Sequence, residues 1–143
     1  TWYERYKERI ESKVRRKVKP KKVKLMTIRQ AIKLIEKSGG VPVLAHPWLS
    51  YVNLKTGIKA LVKSGLKGIE VNNGDRYPFM PKGTLDRIRK AAKKHDLILT
   101  SGSDYHGDEV TRFMPGNHGL GRNNCDNSIA RKLKSLSETQ ARP

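Results

Sequence analysis

A helical pattern followed by a short apolar strand pattern occurs three times in succession, and this alternation limits the fold more than any other feature. The helical patterns cover residues 27–37, 54–64 and 84–94, and the strand patterns cover residues 41–45, 68–73 and 97–99. Alternation with short turns is typical of proteins in which helices cover a parallel sheet. The sequence therefore predicts an α/β fold with parallel strands.

The first of these helices has the clearest boundaries. Thr27 is a favourable N-cap residue, and Gln30 three positions later completes a capping box. The glycines after Ser38 end this helix. Thr84 is the predicted cap of the third helix, and a final helix is predicted over residues 128–136. The residues predicted to face the core are Ile28, Ala31, Ile32, Ile35, Ile58, Leu61, Val62, Leu85, Ile88 and Ala92.

Side chains that commonly bind metals follow each predicted strand. His46 and Glu70 stand at the ends of the first two strands, and Asp104 and His106 follow the third. The carboxyl ends of parallel strands share one edge, where functional residues collect in such folds. Asp104 and His106 are two residues apart, so they point to the same face if the chain is extended there. Because imidazole with carboxylate suits Mn²⁺, Fe²⁺ or Zn²⁺, the sequence predicts a divalent metal site at this edge.

Each of these residues also has a structural interpretation. Asp104 could bond the backbone of a turn, Glu70 could pair with a neighbouring lysine, and His46 could be a structural histidine. His95 ends a basic helix, where it suits the helix dipole. Trp48 is expected to pack against its neighbours, and stacking on a base is its alternative role.

Positive charge is concentrated at the start of the sequence. The 143 residues carry 31 Lys or Arg against 13 Asp or Glu, a formal net charge of +18 that favours polyanionic partners. Residues 1–24 hold eleven of these cations and an apolar residue at every fourth position, which predicts a basic helix ending at Pro20. We therefore divide the chain into a basic segment, 1–24, and an α/β domain, 25–143. The helix either packs its apolar stripe on the domain or contacts phosphates through Arg15, Arg16, Lys17, Lys19, Lys21, Lys22 and Lys24.

The last loop and the cysteine content complete the picture. Residues 116–122 are rich in glycine, and their backbone N–H groups could contact a phosphate with the help of Arg122.

Cys125 is the single cysteine, which fits a reducing cytoplasm. The sequence has no apolar run of the length of a membrane span and no signal-peptide pattern. We expect a cytoplasmic protein without a membrane partner.

Three motifs occur in the order and spacing of a known enzyme family. They are Gly-Gly-Val-Pro-Val-Leu-Ala-His-Pro at residues 39–47, Gly-Leu-Lys-Gly-Ile-Glu-Val at residues 65–71, and Thr-Ser-Gly-Ser-Asp-Tyr-His-Gly at residues 100–107. They resemble the later motifs of the PHP (polymerase and histidinol phosphatase) phosphoesterases. The similarity extends over residues 21–136 and is closest to the small stand-alone branch that hydrolyses nucleotides and trims RNA from its 5′ end.

The resemblance implies a distorted (β/α) barrel of seven strands with two or three Mn²⁺, Fe²⁺ or Zn²⁺ ions at its rim. His46, Asp104 and His106 match metal ligands of the family. Glu70 matches a recurrent strand-end glutamate, and with Asp104 and His106 it is a candidate catalytic residue. The implied reaction is hydrolysis of a nucleotide or nucleic-acid phosphate ester, in which bound metal lowers the pKa of a water that attacks phosphorus.

The early motifs of the family are not found in this sequence. The family opens with His-x-His followed by Asp, whereas no two of the four histidines here are separated by one residue. The chain thus resembles the later part of a PHP domain: a fragment, a protein completed by a second chain, or a relative that lost the chemistry. An incomplete barrel exposes strand edges, so we expect self-association or a partner subunit. The alternative function is that of a non-catalytic basic α/β module that binds RNA.

Overall fold

The computed structural model describes residues 25–48, 52–71, 80–105, 107 and 126–140. These residues form four helices and three strands, in the order α1 Ile28–Lys37, β1 Val43–Leu44, α2 Gly57–Lys63, β2 Gly68–Glu70, α3 Thr84–Lys94, β3 Ile98–Thr100 and α4 Asn127–Gln140. The predicted basic helix over residues 1–24 and the glycine-rich stretch with Arg122 lie outside the described residues.

The three strands form one parallel sheet in the order β1-β2-β3. Val43 pairs with Gly68 across the first strand pair, and Gly68 pairs with Ile98 across the second. All three strands therefore begin at one edge of the sheet and end at the other. The predicted α/β fold with parallel strands is confirmed for the described residues.

The core lies around the central strand. Ile69 of β2 is fully buried, and so are Ile58 of α2 and Ile88 of α3. Burying one such side chain stabilises the fold by about 1.5–3 kcal/mol. Helix α3 packs on β2 and β3, and α4 packs on β3. The buried cluster consists of Ile32, Ile58, Leu61, Leu66, Ile69, Ile88, Ala92 and Leu97.

Helix α1 has the predicted capping box but not the predicted buried face. The Thr27 side chain accepts the N–H of Gln30, and the Gln30 side chain accepts the N–H of Thr27. Within the helix only Ile32 is buried, while Ile28 and Ile35 are 50% and 39% exposed. The expectation that Ile28 and Ile35 face the core was wrong, since no described element covers that side of α1.

The second helix begins later than the sequence pattern predicts, whereas the third begins one residue earlier than its predicted cap implies. The Asn53 side chain accepts the N–H groups of Lys55 and Thr56 in a local turn, so α2 starts only at Gly57. The N-cap of α3 is Gly83, with a left-handed φ of 73°, and not Thr84. Thr84 is instead the first helical residue, and its buried hydroxyl accepts a hydrogen bond from Arg87.

The first two strands are shorter than predicted, the third is shifted by one residue, and the last helix is longer. Pro42 has no N–H for the ladder, so β1 holds only Val43–Leu44. Helix α4 extends to Gln140, and the hydroxyl of Ser137 donates to the carbonyl oxygen of Gly39 at 2.7 Å. This contact anchors the second half of α4 on the turn after α1. No helix in the described part of the chain combines the length and apolar character needed to cross a bilayer.

Candidate metal centre

Three polar side chains meet at the edge where the strands end. His46 follows β1 by two residues, Glu70 is the last residue of β2, and Asp104 follows β3 by four residues. The Nδ1 atom of His46 lies 3.1 Å from Oε2 of Glu70, and its Nε2 atom lies 3.3 Å from Oδ1 of Asp104. The imidazole ring is thus placed between two carboxylates that come from different strands. The structure brings together three of the four residues that the sequence placed at this edge.

Glu70 contacts both the ring and the backbone of His46. The backbone N–H of His46 donates to Oε2 of Glu70 at 2.9 Å, and the same oxygen faces Nδ1. The Glu70 side chain is 13% exposed and that of Asp104 is 16% exposed, while His46 is 30% exposed. The two carboxylates therefore form the inner part of the site, and the imidazole is open to solvent on one side.

The backbone at the site adopts conformations that residues with a side chain rarely take. His46 has φ 44° and Asp104 has φ 54°. Among the described non-glycine residues, only Asp96 shares this property, and it follows the C-cap residue of α3, where left-handed backbone is common. His46 also precedes Pro47, a position that favours extended backbone. Each such conformation costs on the order of 1–3 kcal/mol, and such strain concentrates at functional sites.

Two further residues shape the site. The rings of His46 and Trp48 meet edge to face, with centroids 5.5 Å apart and an interplanar angle of 74°. Gly102 lies against Glu70, because a Cβ atom at this position would be 3.4 Å from Oε1 of Glu70. The sequence placed Trp48 after the first strand but gave no signal for the ring contact. The roles of the left-handed turns and of Gly102 also went unpredicted, since they depend on tertiary contacts.

The donors at this edge fit a divalent metal in type and in spacing. Two ligands about 2.1 Å from one ion at a tetrahedral angle are about 3.4 Å apart. The 3.3 Å between Nε2 of His46 and Oδ1 of Asp104 is close to that separation. The described residues contain no set of three His, Cys, Asp or Glu side chains arranged around one ion. His106, the third ligand that the resemblance implies, lies outside the described residues.

The basic residues predicted to contact phosphates, at positions 15 to 24 and 122, also lie outside the described residues. His95 is the C-cap residue of α3 and lies at the other edge of the sheet, where the strands begin. It lines a cavity of about 880 Å³ together with Lys67 and Lys132. This cavity is separate from the metal-type side chains.

A curated protein with a similar sequence agrees with the family resemblance of the motifs at residues 39–47, 65–71 and 100–107. The chain is 37% identical over 82 residues to the phosphoribosyl 1,2-cyclic phosphate 1,2-diphosphodiesterase of Eggerthella lenta. That match covers 55% of this chain but 28% of the Eggerthella protein. No protein-family model matches the chain.

A solved structure shares the fold as well as part of the sequence. A crystal structure from Bifidobacterium adolescentis, described as a metal-dependent phosphoesterase, superimposes with a TM-score of 0.63 at 28% identity. The match covers 84% of this chain and 40% of that one. The chain thus spans well under half the length of both proteins. Over the part that they share, the chain resembles PHP-type metal-dependent phosphoesterases in sequence and in fold, as its motifs predicted.

Proposed function

We propose that this chain carries metal-binding residues of a phosphoesterase that hydrolyses phosphate esters with a divalent cation. The observation that supports this most directly is the contact of His46 with Asp104 and Glu70 at the carboxyl edge of the sheet. The names of the two similar proteins point to the same chemistry. In this proposal the described sheet is the later part of a distorted (β/α) barrel whose other strands carry the remaining ligands.

His46 and Asp104 each have a defined part in this proposal. His46 offers Nε2 and Asp104 offers Oδ1 to one ion, and His106 is the third ligand. A bound Mn²⁺, Fe²⁺ or Zn²⁺ would acidify a water molecule and neutralise phosphoryl charge. Glu70 and Asp104 are mostly buried, so their carboxylates hold negative charge where bulk water screens it weakly. A cation is therefore favoured at this edge over an anion.

The substrate is proposed at the level of its reacting group, a phosphate ester. The Eggerthella protein is named for a phosphoribosyl cyclic phosphate, which makes a cyclic phosphodiester the first compound to assay. The formal net charge of +18 favours substrates with several phosphates, such as nucleotides or RNA. In the same proposal, basic residues of segment 1–24 and Arg122 contact those phosphates. Self-association or a partner subunit would supply further strands.

The second candidate function is RNA binding without catalysis. It rests on the net charge alone, and the similarity to phosphoesterases does not favour it. The two functions differ in their dependence on Asp104. Hydrolysis requires this carboxylate, whereas binding through phosphate contacts survives its loss and weakens steeply with salt.

The test compares two matched substitutions. Asp104→Asn removes a proposed ligand, and Asp86→Asn removes a carboxylate that is 71% exposed on α3. We would measure bound metal by elemental analysis and phosphate release from a cyclic phosphodiester, a nucleotide and a short RNA with added Mn²⁺. Metal binding lost in Asp104→Asn and kept in Asp86→Asn, with hydrolysis following the same pattern, supports the proposal. Equal metal content in all three proteins would contradict it.

A further inference from the structure

We propose that Glu70 is a positioning residue that holds the proton of His46 on Nδ1 and thereby directs Nε2 towards the metal. This inference rests on the proposed function, and it gives Glu70 a role other than that of a ligand or a proton-transfer group. It concerns one oxygen atom, Oε2 of Glu70, which lies 2.9 Å from the backbone nitrogen of His46 and 3.1 Å from Nδ1.

The hydrogen-bonding capacity of the groups supports this assignment. A neutral imidazole has one N–H donor and one acceptor nitrogen, whereas an ionised carboxylate only accepts. The ring of His46 faces a carboxylate oxygen on each side, so a single ring proton can serve one of them. On the Glu70 side of the ring, Oε2 already accepts the backbone N–H of His46, so this oxygen is held in place beside the ring. Nδ1 is a buried ring nitrogen, and Oε2 of Glu70 at 3.1 Å is the carboxylate oxygen beside which a proton on Nδ1 would lie.

The other side of the ring then requires a cation. With the proton on Nδ1, the lone pair of Nε2 faces Oδ1 of Asp104 at 3.3 Å. Two electron-rich atoms at this distance repel each other unless a proton or a metal ion lies between them, and in a neutral ring with its proton on Nδ1 the place is open to a metal ion. Histidine ligands commonly donate their second nitrogen to a carboxylate, which fixes the ring and makes the first nitrogen more basic. The arrangement of Glu70, His46 and Asp104 has this form.

The position of Glu70 in the sheet suits a supporting role. Its backbone pairs with Thr100 in the parallel ladder, and the next residue donates its N–H to the carbonyl oxygen of Thr100 at 2.7 Å. His46 and Asp104 stand on turns beyond the strand ends. Glu70 is thus the member of the group that is held by regular structure. Groups that orient a ligand act best from such rigid elements.

The competing assignment is that Glu70 itself binds the ion. The two assignments differ in the response to Glu70→Gln, because the amide oxygen of glutamine can still accept from the backbone N–H and can face Nδ1 as the carboxylate does. Glutamine is a much weaker metal ligand than a carboxylate. A positioning role therefore predicts that Glu70→Gln retains most of the metal affinity, whereas direct ligation predicts that it loses as much as Asp104→Asn.

The experiment measures metal affinity and the position of the ring proton separately. Binding of Zn²⁺ or Mn²⁺ alone would be measured by calorimetry for wild type, Glu70→Gln, Glu70→Ala and Asp104→Asn, with Glu138→Gln as control on the exposed surface of α4. Because heavy-atom positions do not reveal ring protons, ¹⁵N shifts of His46 would be recorded in the metal-free proteins over a range of pH, and the proton position would be read from the neutral ring. Amide spectra of each variant would verify folding.

A positioning role gives a defined set of results. Wild type and Glu70→Gln carry the proton on Nδ1, and Glu70→Ala moves it towards Nε2. Metal affinity falls about 10–100-fold in Glu70→Ala, as for other outer carboxylates, and less than about 10-fold in Glu70→Gln. A wild-type ring with a proton on Nε2 overturns the inference. So does a Glu70→Ala variant that binds metal as wild type does, or a Glu70→Gln variant as weak as Asp104→Asn.

These results also separate the inference from the proposed function. If the wild-type chain binds no metal, the metal-centre proposal fails for this chain, and the ring proton of the metal-free protein still decides the role of Glu70. If the wild type binds metal and neither Glu70 variant changes it, the proposed function stands and the positioning role fails.

Discussion

Oε2 of Glu70 accepts the backbone N–H of His46 across 24 residues of sequence, and this bond joins the end of β2 to the turn after β1. It holds the backbone of His46, and the same oxygen lies 3.1 Å from Nδ1 of the ring. A left-handed residue before a proline is poorly favoured by itself, so a tertiary hydrogen bond to its N–H helps to hold it. The carboxylate of Glu70 therefore couples the site to the sheet.

Truncation of the central core residue is expected to destabilise the fold strongly. Ile69 is fully buried in the middle of β2, so Ile69→Ala removes packed volume and leaves a cavity. We expect a loss of about 2–5 kcal/mol in the free energy of unfolding, measured by urea titration. Leu25→Ala is the control, because Leu25 is 84% exposed and its truncation should change stability by less than about 0.5 kcal/mol. Equal losses in both variants would contradict the assigned core.

Gly68 is expected to tolerate no side chain. A Cβ atom there would lie 3.0 Å from Cγ2 of Val43 and 3.1 Å from the carbonyl oxygen of Ile98. Gly68→Ala should cost about 1–3 kcal/mol of unfolding free energy through overpacking between β1 and β3. The double variant with Val43→Ala should recover part of this loss, because it removes the side-chain contact but not the backbone one. Full recovery, or no loss in Gly68→Ala, would show that the strands are not packed as described.

A large side chain at position 102 should lower the metal affinity of the site more than it lowers the stability of the fold. The Cβ of Gly102→Ala fits 3.4 Å from Oε1 of Glu70, whereas the methyl groups of Gly102→Val extend further and displace the carboxylate. We expect calorimetry to show weaker Zn²⁺ binding for the valine variant and near-normal binding for the alanine variant. Urea titration should show similar stability for both, since residue 102 is only partly buried at the edge of the sheet. The prediction fails if both variants bind Zn²⁺ as wild type does.

The stability of the first turn of α4 should decrease in acid because of Asp126. The backbone N–H of Ser128 donates to Oδ1 of Asp126 at 2.6 Å, and this bond, with the Ser128 hydroxyl, lowers the pKa of the Asp126 carboxyl below its usual value. A lowered pKa in the folded state means that the ionised form stabilises the helix. This contribution is complete above the ordinary pKa of 3.8 and is lost as the pH falls through the lower folded value.

Asp126→Asn provides the matched control for this pH dependence. Asparagine caps a helix about as well as aspartate but does not titrate in this range. Unfolding of both proteins would be followed by circular dichroism between neutral pH and pH 2. Wild type should lose stability relative to the variant below about pH 4, as the aspartate gains its proton. A difference that stays constant across this range would contradict the prediction.

Much of the fold could be predicted from sequence because it depends on local patterns. The alternation of helices and strands, the capping box of Thr27 and Gln30, and the shared edge of the strand ends all follow from residue type and spacing. The errors arose where a local hydrogen bond or a missing donor overrides the pattern. Asn53 delays α2, and Pro42 shortens β1. The exposed side of α1 could not be predicted, because an apolar stripe does not reveal whether another element covers it.

The sequence predicted which residues form the site, but it did not predict their contacts or their backbone conformation. The sequence placed His46, Glu70 and Asp104 at one edge, since each follows a strand. Nothing in the sequence indicated the left-handed backbone of His46 and Asp104, because neither is the glycine that usually takes this conformation. The double contact of Glu70 with His46 likewise depends on the register of β1 against β2.

His46, Glu70 and Asp104 lie at the ends of three separate strands, so metal binding at this site would also stabilise the sheet. An ion held by His46 and Asp104, with Glu70 behind the imidazole, would join chain segments that begin at residues 43, 68 and 98. Such an ion would link the three strands, and its binding free energy would add to the free energy of unfolding. Loss of pairing between β1 and β2, or between β2 and β3, would separate these residues and weaken the binding of such an ion. Thermal unfolding in the presence and absence of Zn²⁺ thus reports on the integrity of the strand ladder as well as on the affinity of the site.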